Sequence, residues 1–415
     1  MLKRILISII ILILLLLPID TMAATDDSVL IITLKDATIR AVDANNNITS
    51  IGKSIKKQRK RYGGSYVADI QNRDRYSLVT RMNELYEKLV RNKLMSLDEQ
   101  GELMLLFDVF KNTDYTTKMK LEPLINSEDF PDALDCAAIV KTCINKELLT
   151  VSVEDSVRQL YDSILQVENS VEVSNKLYNL QEIKYEATKK NFLNGYVSEE
   201  ARFIAEQDLK KQGLEVNKVQ RQLKNLQLSF KKLTNIDLNK EIKLVPYKTD
   251  ISYTIGTYNS YLNQALLHRN EIVSSKVDLK AAKIQLYRFN LLYRFEFSNS
   301  ELDLYKRDME LQIDSLNQQI DENRLAVEQD IKIAYIDLLN QKELLAASKV
   351  TFDLQAKNYK EAKIKLDAGT LSKLQYKAAE LSYSQAKNDY EAAQRRFDYS
   401  INKMKNCCNL GPKYQ

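Results

Sequence analysis

The chain has 415 residues, 28% of them charged and 44% hydrophobic, with 9 Gly, 5 Pro and 1 His. Its 61 Lys+Arg against 56 Asp+Glu leave a net charge of +5, with the two signs interleaved along the chain. So few glycines and prolines argue against a loop-rich enzyme, and the lack of a basic block argues against nucleic acid as a partner; the profile is that of long, solvated helices.

The first predicted element is an export signal over 1–24. Lys3 and Arg4 precede an apolar run from Ile5 to Leu17, followed by Pro18 and the small residues Ala23 and Ala24, the expected cleavage region. As a helix the run reaches only about 20 Å against a hydrocarbon core of about 30 Å, which favours a cleaved signal over a membrane span. Residues 25–60 read as an opening helix, and 61–150 as a helical insertion of unassigned role. That insertion includes helix-like patterns at 82–86 and 103–110, and Pro123 and Pro131. Cys136 and Cys143 fall about 10 Å apart along a helix, too far for a disulfide. Cys407 and Cys408 are adjacent, where a mutual bond would be strained, and all four read as buried or idle thiols.

Neither Gly nor Pro occurs between Pro131 and Gly195, or between Gly256 and Gly369. Residues 151–245 read as a first helical hairpin, with an a/d series Val216, Val219, Leu223, Leu226, Phe230, Leu233 after the turn. Residues 246–298 read as a linker, a second opening helix and a strand. In the last, Tyr287, Phe289, Leu291, Tyr293, Phe295 and Phe297 alternate with mostly polar residues and predict a short β element over 287–297. Ser298 and Glu301 have capping-box spacing and open a second hairpin over 299–411. Its first helix, about 105 Å long, has to pack beside helices of similar length. Its second carries the heptad series Tyr383, Ala386, Tyr390, Ala393, Phe397, Ser400, Met404, Cys407.

The two hairpins superpose at an offset of 174: Tyr161 on Tyr335, Leu165 on Leu339, Tyr185 on Tyr359, Gly195 on Gly369, Ser198 on Ser372 and Glu206 on Glu380. In each copy a glycine stops one long helix and a serine three residues later caps the next. The first turn carries Gly195, Ser198, Glu199 and Glu200, the second Gly369, Thr370 and Ser372. The expected fold is therefore mainly all-α: two copies of a long coiled-coil hairpin whose seams call for self-assembly into a ring.

Four features resemble the TolC, or outer membrane efflux protein, family. They are the opening Ile32-Thr33-Leu34-Lys35-Asp36-Ala37 continuing to Ala44–Ile48, and the restart Gln264–Ile272 with Arg269 and Glu271. To these add the repeated Tyr-x9-Gly-x2-Ser, at Tyr185–Ser198 and Tyr359–Ser372, and the ends Leu233–Ile236 and Cys407–Gly411. The resemblance covers roughly 30–60 and 150–411 and implies a TolC-like α-barrel. It further implies a homotrimeric duct in the cell envelope, at the outer membrane, serving efflux or secretion. The turns at 194–200 and 368–374 would meet an inner-membrane pump and a periplasmic-type adaptor. The chain departs from the family, which places two membrane strands in each half, by offering one strand candidate in all; three such strands in a trimer do not close a barrel, which leaves membrane contact open. Its second turn has Lys373, Gln375 and Ala378 where the family places acids.

No phosphate loop, dinucleotide fingerprint or nucleophile elbow occurs, and His268 is the single histidine. No catalytic residue, cofactor or metal set is expected. The competing function is a non-conducting coiled-coil scaffold of the envelope, motivated by the shortage of barrel strands. A pump adaptor fits less well, since adaptors flank a single hairpin with β-rich domains.

Overall fold

The computed structural model describes residues 29–62, 84–86, 88, 96–110, 119, 122–124, 132–293 and 300–411. The expected export signal, its cleavage region and the Ser298 cap lie outside the described residues.

Strand β1 (Leu30–Ile32) precedes α1 (Leu34–Ala44) and α2 (Asn46–Tyr62). The opening helix expected over 25–60 is thus a strand and two helices. Thr33 starts α1 through a capping box with Asp36, whose carboxyl the Thr33 hydroxyl holds below its usual pKa. Asn45 ends α1 and starts α2, because its Oδ1 accepts from the Asn47 and Ile48 amides at 3.0 and 3.1 Å. α3 (Leu97–Phe110) lies within the expected insertion, whereas the end of that segment already belongs to α4 (Ala133–Leu193).

The rest is built on four long helices. α4 and α5 (Glu199–Leu233) form the first hairpin; α8 (Ser300–Asp367) and α9 (Lys373–Cys408) form the second. With 61 and 68 residues, α4 and α8 run about 90 and 100 Å. Between the hairpins come β2 (Ile242–Leu244), α6 (Tyr258–His268) and α7 (Asn270–Leu292). β1 and β2 pair in parallel, Leu30 beside Ile242 and Ile32 beside Leu244, as the only sheet among the described residues.

α7 corrects the strand expected over 287–297. Tyr287–Leu292 close a helix, Tyr293 is its C-cap, and 294–299 lie outside the described residues. Residues two apart in an alternating run are also four apart pairwise, so the aromatics serve a helix equally well. Phe289 meets Tyr293 one turn on, with ring centroids 4.7 Å apart, and Tyr305 of α8 at 5.5 Å. Ala281, Ile284 and Phe289 bury the adjoining stripe of the same helix.

Two large cores sit on one face of the helical array. Val157, Tyr161, Ile164 and Leu165 of α4 pack with Ile32, Ala37, Ala41 and Leu244, and Phe230 closes the group from α5. Ile331, Ala334 and Leu338 of α8 pack with Phe397, Ile401 and Met404 of α9 under Tyr261 and Ala265 of α6. A smaller core joins α3, α4 and α7 through Leu97, Cys136, Ile139, Ala281 and Ile284.

Candidate functional site: the hairpin turns and the open helix faces

Each turn is built from its own sequence by the same rule. Gly195 and Gly369 sit at φ +77° and +72°, the left-handed conformation that stops a helix, and a Cβ there would meet no atom within 4 Å. Past the first stop, the Gly195 amide donates to Phe192 O at 2.9 Å and the Tyr196 amide to Asn191 O at 2.8 Å. Past the second, the Gly369 amide donates to Leu366 O and the Thr370 amide to Lys365 O, both at 2.9 Å, while the Thr370 hydroxyl reaches Lys365 O at 3.0 Å. Ser198 Oγ then accepts from the Ala201 amide and Ser372 Oγ from the Gln375 amide, each at 3.2 Å.

The turns differ in what they expose. Glu199 and Glu200 occupy the first turn of α5, where carboxylates complement the helix dipole. Arg202 lies over the Phe192 ring at 5.5 Å and pairs with Glu206 at 3.4 Å. Leu193, Tyr196, Phe203 and Ile204 are exposed around them, Tyr196 at 79%. In the second turn Gln375 closes the cap. Its Oε1 accepts from the Ser372 amide at 3.1 Å, completing a capping box without charge.

Both turns point to the same end of the array. Antiparallel bonds between α4 and α9 fix this register: Arg158 to Asp398, Asn169 to Glu391 at 2.8 Å, and Lys176 to Ser384 at 2.7 Å. The helices therefore lie in the order α5, α4, α9, α8, leaving α5 and α8 at the edges. The candidate residues Gly195, Ser198, Glu199 and Glu200 share one turn, and Gly369, Thr370 and Ser372 the other, at a common end.

The two edges are complementary. Leu304, Leu311, Leu325, Ile336, Leu339, Val350 and Leu354 form one stripe along α8 and are 38–70% exposed. At the offset of the duplication, the stripe from Leu325 onward is the side of α8 that corresponds to the α9-facing side of α4. α5 carries Phe203, Leu214 and Leu228, all exposed, on the side corresponding to the α4-facing side of α9. An exposed apolar stripe of this length marks an interaction surface.

Sequence reading gave no role to the hub at the base of the second repeat. Arg269, 1% exposed, donates to Glu271 Oε1 at 2.7 Å and Asp330 Oδ2 at 2.8 Å, and to Cys407 O at 3.4 Å. Burial alone would lower its pKa; its two carboxylate partners outweigh that and raise it above the usual arginine value. The motif around Arg269 was visible, but nothing in it told which acid 61 positions away would answer. Tyr161 plays the matching part in the first repeat: its hydroxyl lies 2.9 Å from Ile32 O and 2.6 Å from Val245 O and accepts from the Val245 amide at 2.9 Å.

Among the described residues no group of three His, Cys, Asp or Glu side chains is placed to hold a metal ion, and no helix is long and apolar enough to cross a membrane. Cys407 and Cys408 are buried in the second core, which pushes the Cys408 thiol up to about 11.

No family model matches the chain, and no curated protein matches it. Solved structures do. The Campylobacter jejuni CmeC outer membrane channel is 13% identical, with a TM-score of 0.54 over 92% of this chain and 86% of that one. A membrane protein from Pseudomonas aeruginosa is 11% identical, with a TM-score of 0.53 over 92% of this chain and 91% of that one. CusC, described as forming a transmembrane channel, is 11% identical, with a TM-score of 0.52 over 91% and 92%. The chain has the TolC-like fold of the outer membrane efflux channels.

Proposed function

We propose that the chain is one subunit of a TolC-like duct for efflux or secretion: a homotrimer in the cell envelope, without catalytic chemistry, whose hairpin turns meet a partner adaptor or pump. The observation that carries this reading is the pair of complementary edges. Within the chain, α9 fills the face of α4 in a fixed register; the corresponding face of α8 is bare and apolar, and the corresponding face of α5 is bare and apolar too. The same register brings Leu228 of a second copy close to Ile333, Leu214 beside Ala346 and Phe203 beside Leu354. Head-to-tail contacts of this kind close into a ring or grow into a filament. At the turns, exposed Leu193 and Tyr196 beside Glu199 and Glu200 suit a partner tip with apolar and basic side chains.

The test is a cross-link. Leu214→Cys combined with Ala346→Cys should yield oxidised dimers and trimers and no larger species. Light scattering and negative-stain microscopy should show a tube about 100 Å long, the length of α8. A monomer that forms no cross-link would remove the reading. Reversing Glu199 and Glu200 to Lys should lower export in a complementation assay without changing the cross-link.

One observation favours the scaffold reading: helix continues through Leu292 where a barrel strand was expected. A trimeric tube that gives no conductance in lipid bilayers would select it over the duct.

A further inference from the structure

Among the described residues, the opening helices and both sheet strands cover one face of the array and leave the other bare. At 100° per residue, Gln159, Ser163, Gln166 and Ser170 lie about half a turn around α4 from the buried Val157, Tyr161, Ile164 and Leu165. On this bare, polar face a cavity of about 230 Å³ opens between α4 and α9, lined by Gln159, Ser163, Gln166, Arg395, Arg396 and Tyr399.

Arg395 lies within electrostatic reach of the Asp162 carboxylate, but the protein does not use all of its donors. Arg395 Nη2 is buried and has no hydrogen-bond partner, and Arg396 is exposed, with no ion pair among the described residues. The nearby carboxylates are already engaged. Asp162, which also lines the cavity, accepts from the Tyr247 hydroxyl at 2.7 Å. Asp398 pairs with Arg158 and accepts from the Asp250 amide, and Asp155 accepts from Gln159 and from the Tyr399 hydroxyl. The two guanidinium groups and the Gln166 amide around a space of this size offer donors in the geometry that carboxylate and phosphate groups take, and a buried donor without a partner is costly until an acceptor arrives.

We propose that this cavity binds a small oxyanion, the carboxylate or phosphate group of an anionic solute, with Arg395 and Arg396 as its principal donors. If the duct reading holds, the bare face lines the bore, and the cavity is a stopping point that favours anionic cargo.

Inorganic phosphate is the probe, followed by its ³¹P line width as purified full-length protein is added at constant ionic strength. The unaltered chain should broaden the line, and excess acetate should reverse the broadening. Arg395→Gln with Arg396→Gln should weaken binding about tenfold or more. Arg396→Gln alone, an exposed change that leaves folding intact, should give a partial loss, and Arg40→Gln, an exposed arginine on α1, none. Unchanged broadening in both cavity variants, or equal loss in the Arg40 variant, overturns the site. Light scattering on the same samples tests the duct reading separately: phosphate binding without a trimer keeps the site and removes the duct, and a trimer that does not bind phosphate does the reverse.

Discussion

The two hairpins share a sequence plan and differ in how their seams are filled. In the second, rings run up the seam between α8 and α9: Phe352 on Tyr383 and Tyr390 at 5.8 and 5.4 Å, and Tyr359 on Tyr376 and Tyr383 at 5.6 and 5.1 Å. The Tyr359 and Tyr376 hydroxyls meet at 2.9 Å. At the same offset the first hairpin keeps Tyr178 and Tyr185 on α4 but faces them with Arg202, Leu209 and Val216. α9 buries residues along its length, because α8 and α4 flank it, whereas only Phe230 and Lys231 of α5 are buried, because α4 is the one long helix beside it. A duplicated element thus takes its stability from position in the array as much as from its own heptads, and the less buried copy is the one left at an edge.

The bases of the two repeats give the largest expected effect. The second is pinned by a buried ion network, the first by one tyrosine hydroxyl. Arg269→Ala strands Glu271 and Asp330 without their cation and should cost about 3 kcal/mol in denaturant unfolding, near the lower end for a broken buried pair because Asp330 is partly solvated. A cost below that of Tyr161→Phe would invert the ranking of the two anchors.

The ring ladder comes next. Phe352→Ala or Tyr383→Ala removes stacking and burial from a half-buried seam and should cost about 2 kcal/mol, against about 1 or less for Leu209→Ala in the first hairpin. Hydrogen exchange should separate the hairpins directly, with amides over 199–216 exchanging faster than those over 373–390 in the isolated chain. Equal protection in the monomer would break the comparison. Convergence only on assembly would sharpen it, since α5 is then covered.

Tyr161→Phe should cost about 1–2 kcal/mol, because two carbonyls and one amide lose their shared partner. It should also change the alkaline limit. Burial pushes the Tyr161 hydroxyl up to about 12, above the value near 10 of an unfolded tyrosine. The raised value stabilises the fold below pH 10, and this contribution is lost as pH rises from 10 towards 12. The variant should lose less stability across that window. Tyr253, also pushed up to about 12 by burial, keeps part of the loss in place.

Much of this architecture was legible because helix signals are local. The two turns could be read from Gly195, Gly369, Ser198 and Ser372, and the duplication from matched aromatics. What escaped were features that depend on partners far away in the chain. β1 is three residues long and owes its existence to β2 more than 200 positions on. The alternating aromatics at 287–293 satisfy strand and helix patterns alike, and only the packing of Phe289 against Tyr305 decides between them. Gln375 read as a missing acid, whereas its amide oxygen closes a cap. The free Nη2 donor of Arg395 gives no sequence signal, because it depends on which carboxylates the fold has already engaged.

The smallest effect is the one on which the repeats should agree. Gly195→Ala and Gly369→Ala each place a Cβ on a backbone at positive φ, with open space around it, so the cost is conformational strain alone, about 1 kcal/mol for either. Both values should match to within a few tenths of a kcal/mol, although the flanking helices differ so much in burial. Agreement would show that the turns are autonomous local units, set by a glycine and a capping serine whatever lies beside them. A much larger cost at Gly369 would mean that the ring ladder below it transmits its rigidity into the turn, and the two turns could then no longer be treated as equivalent local units.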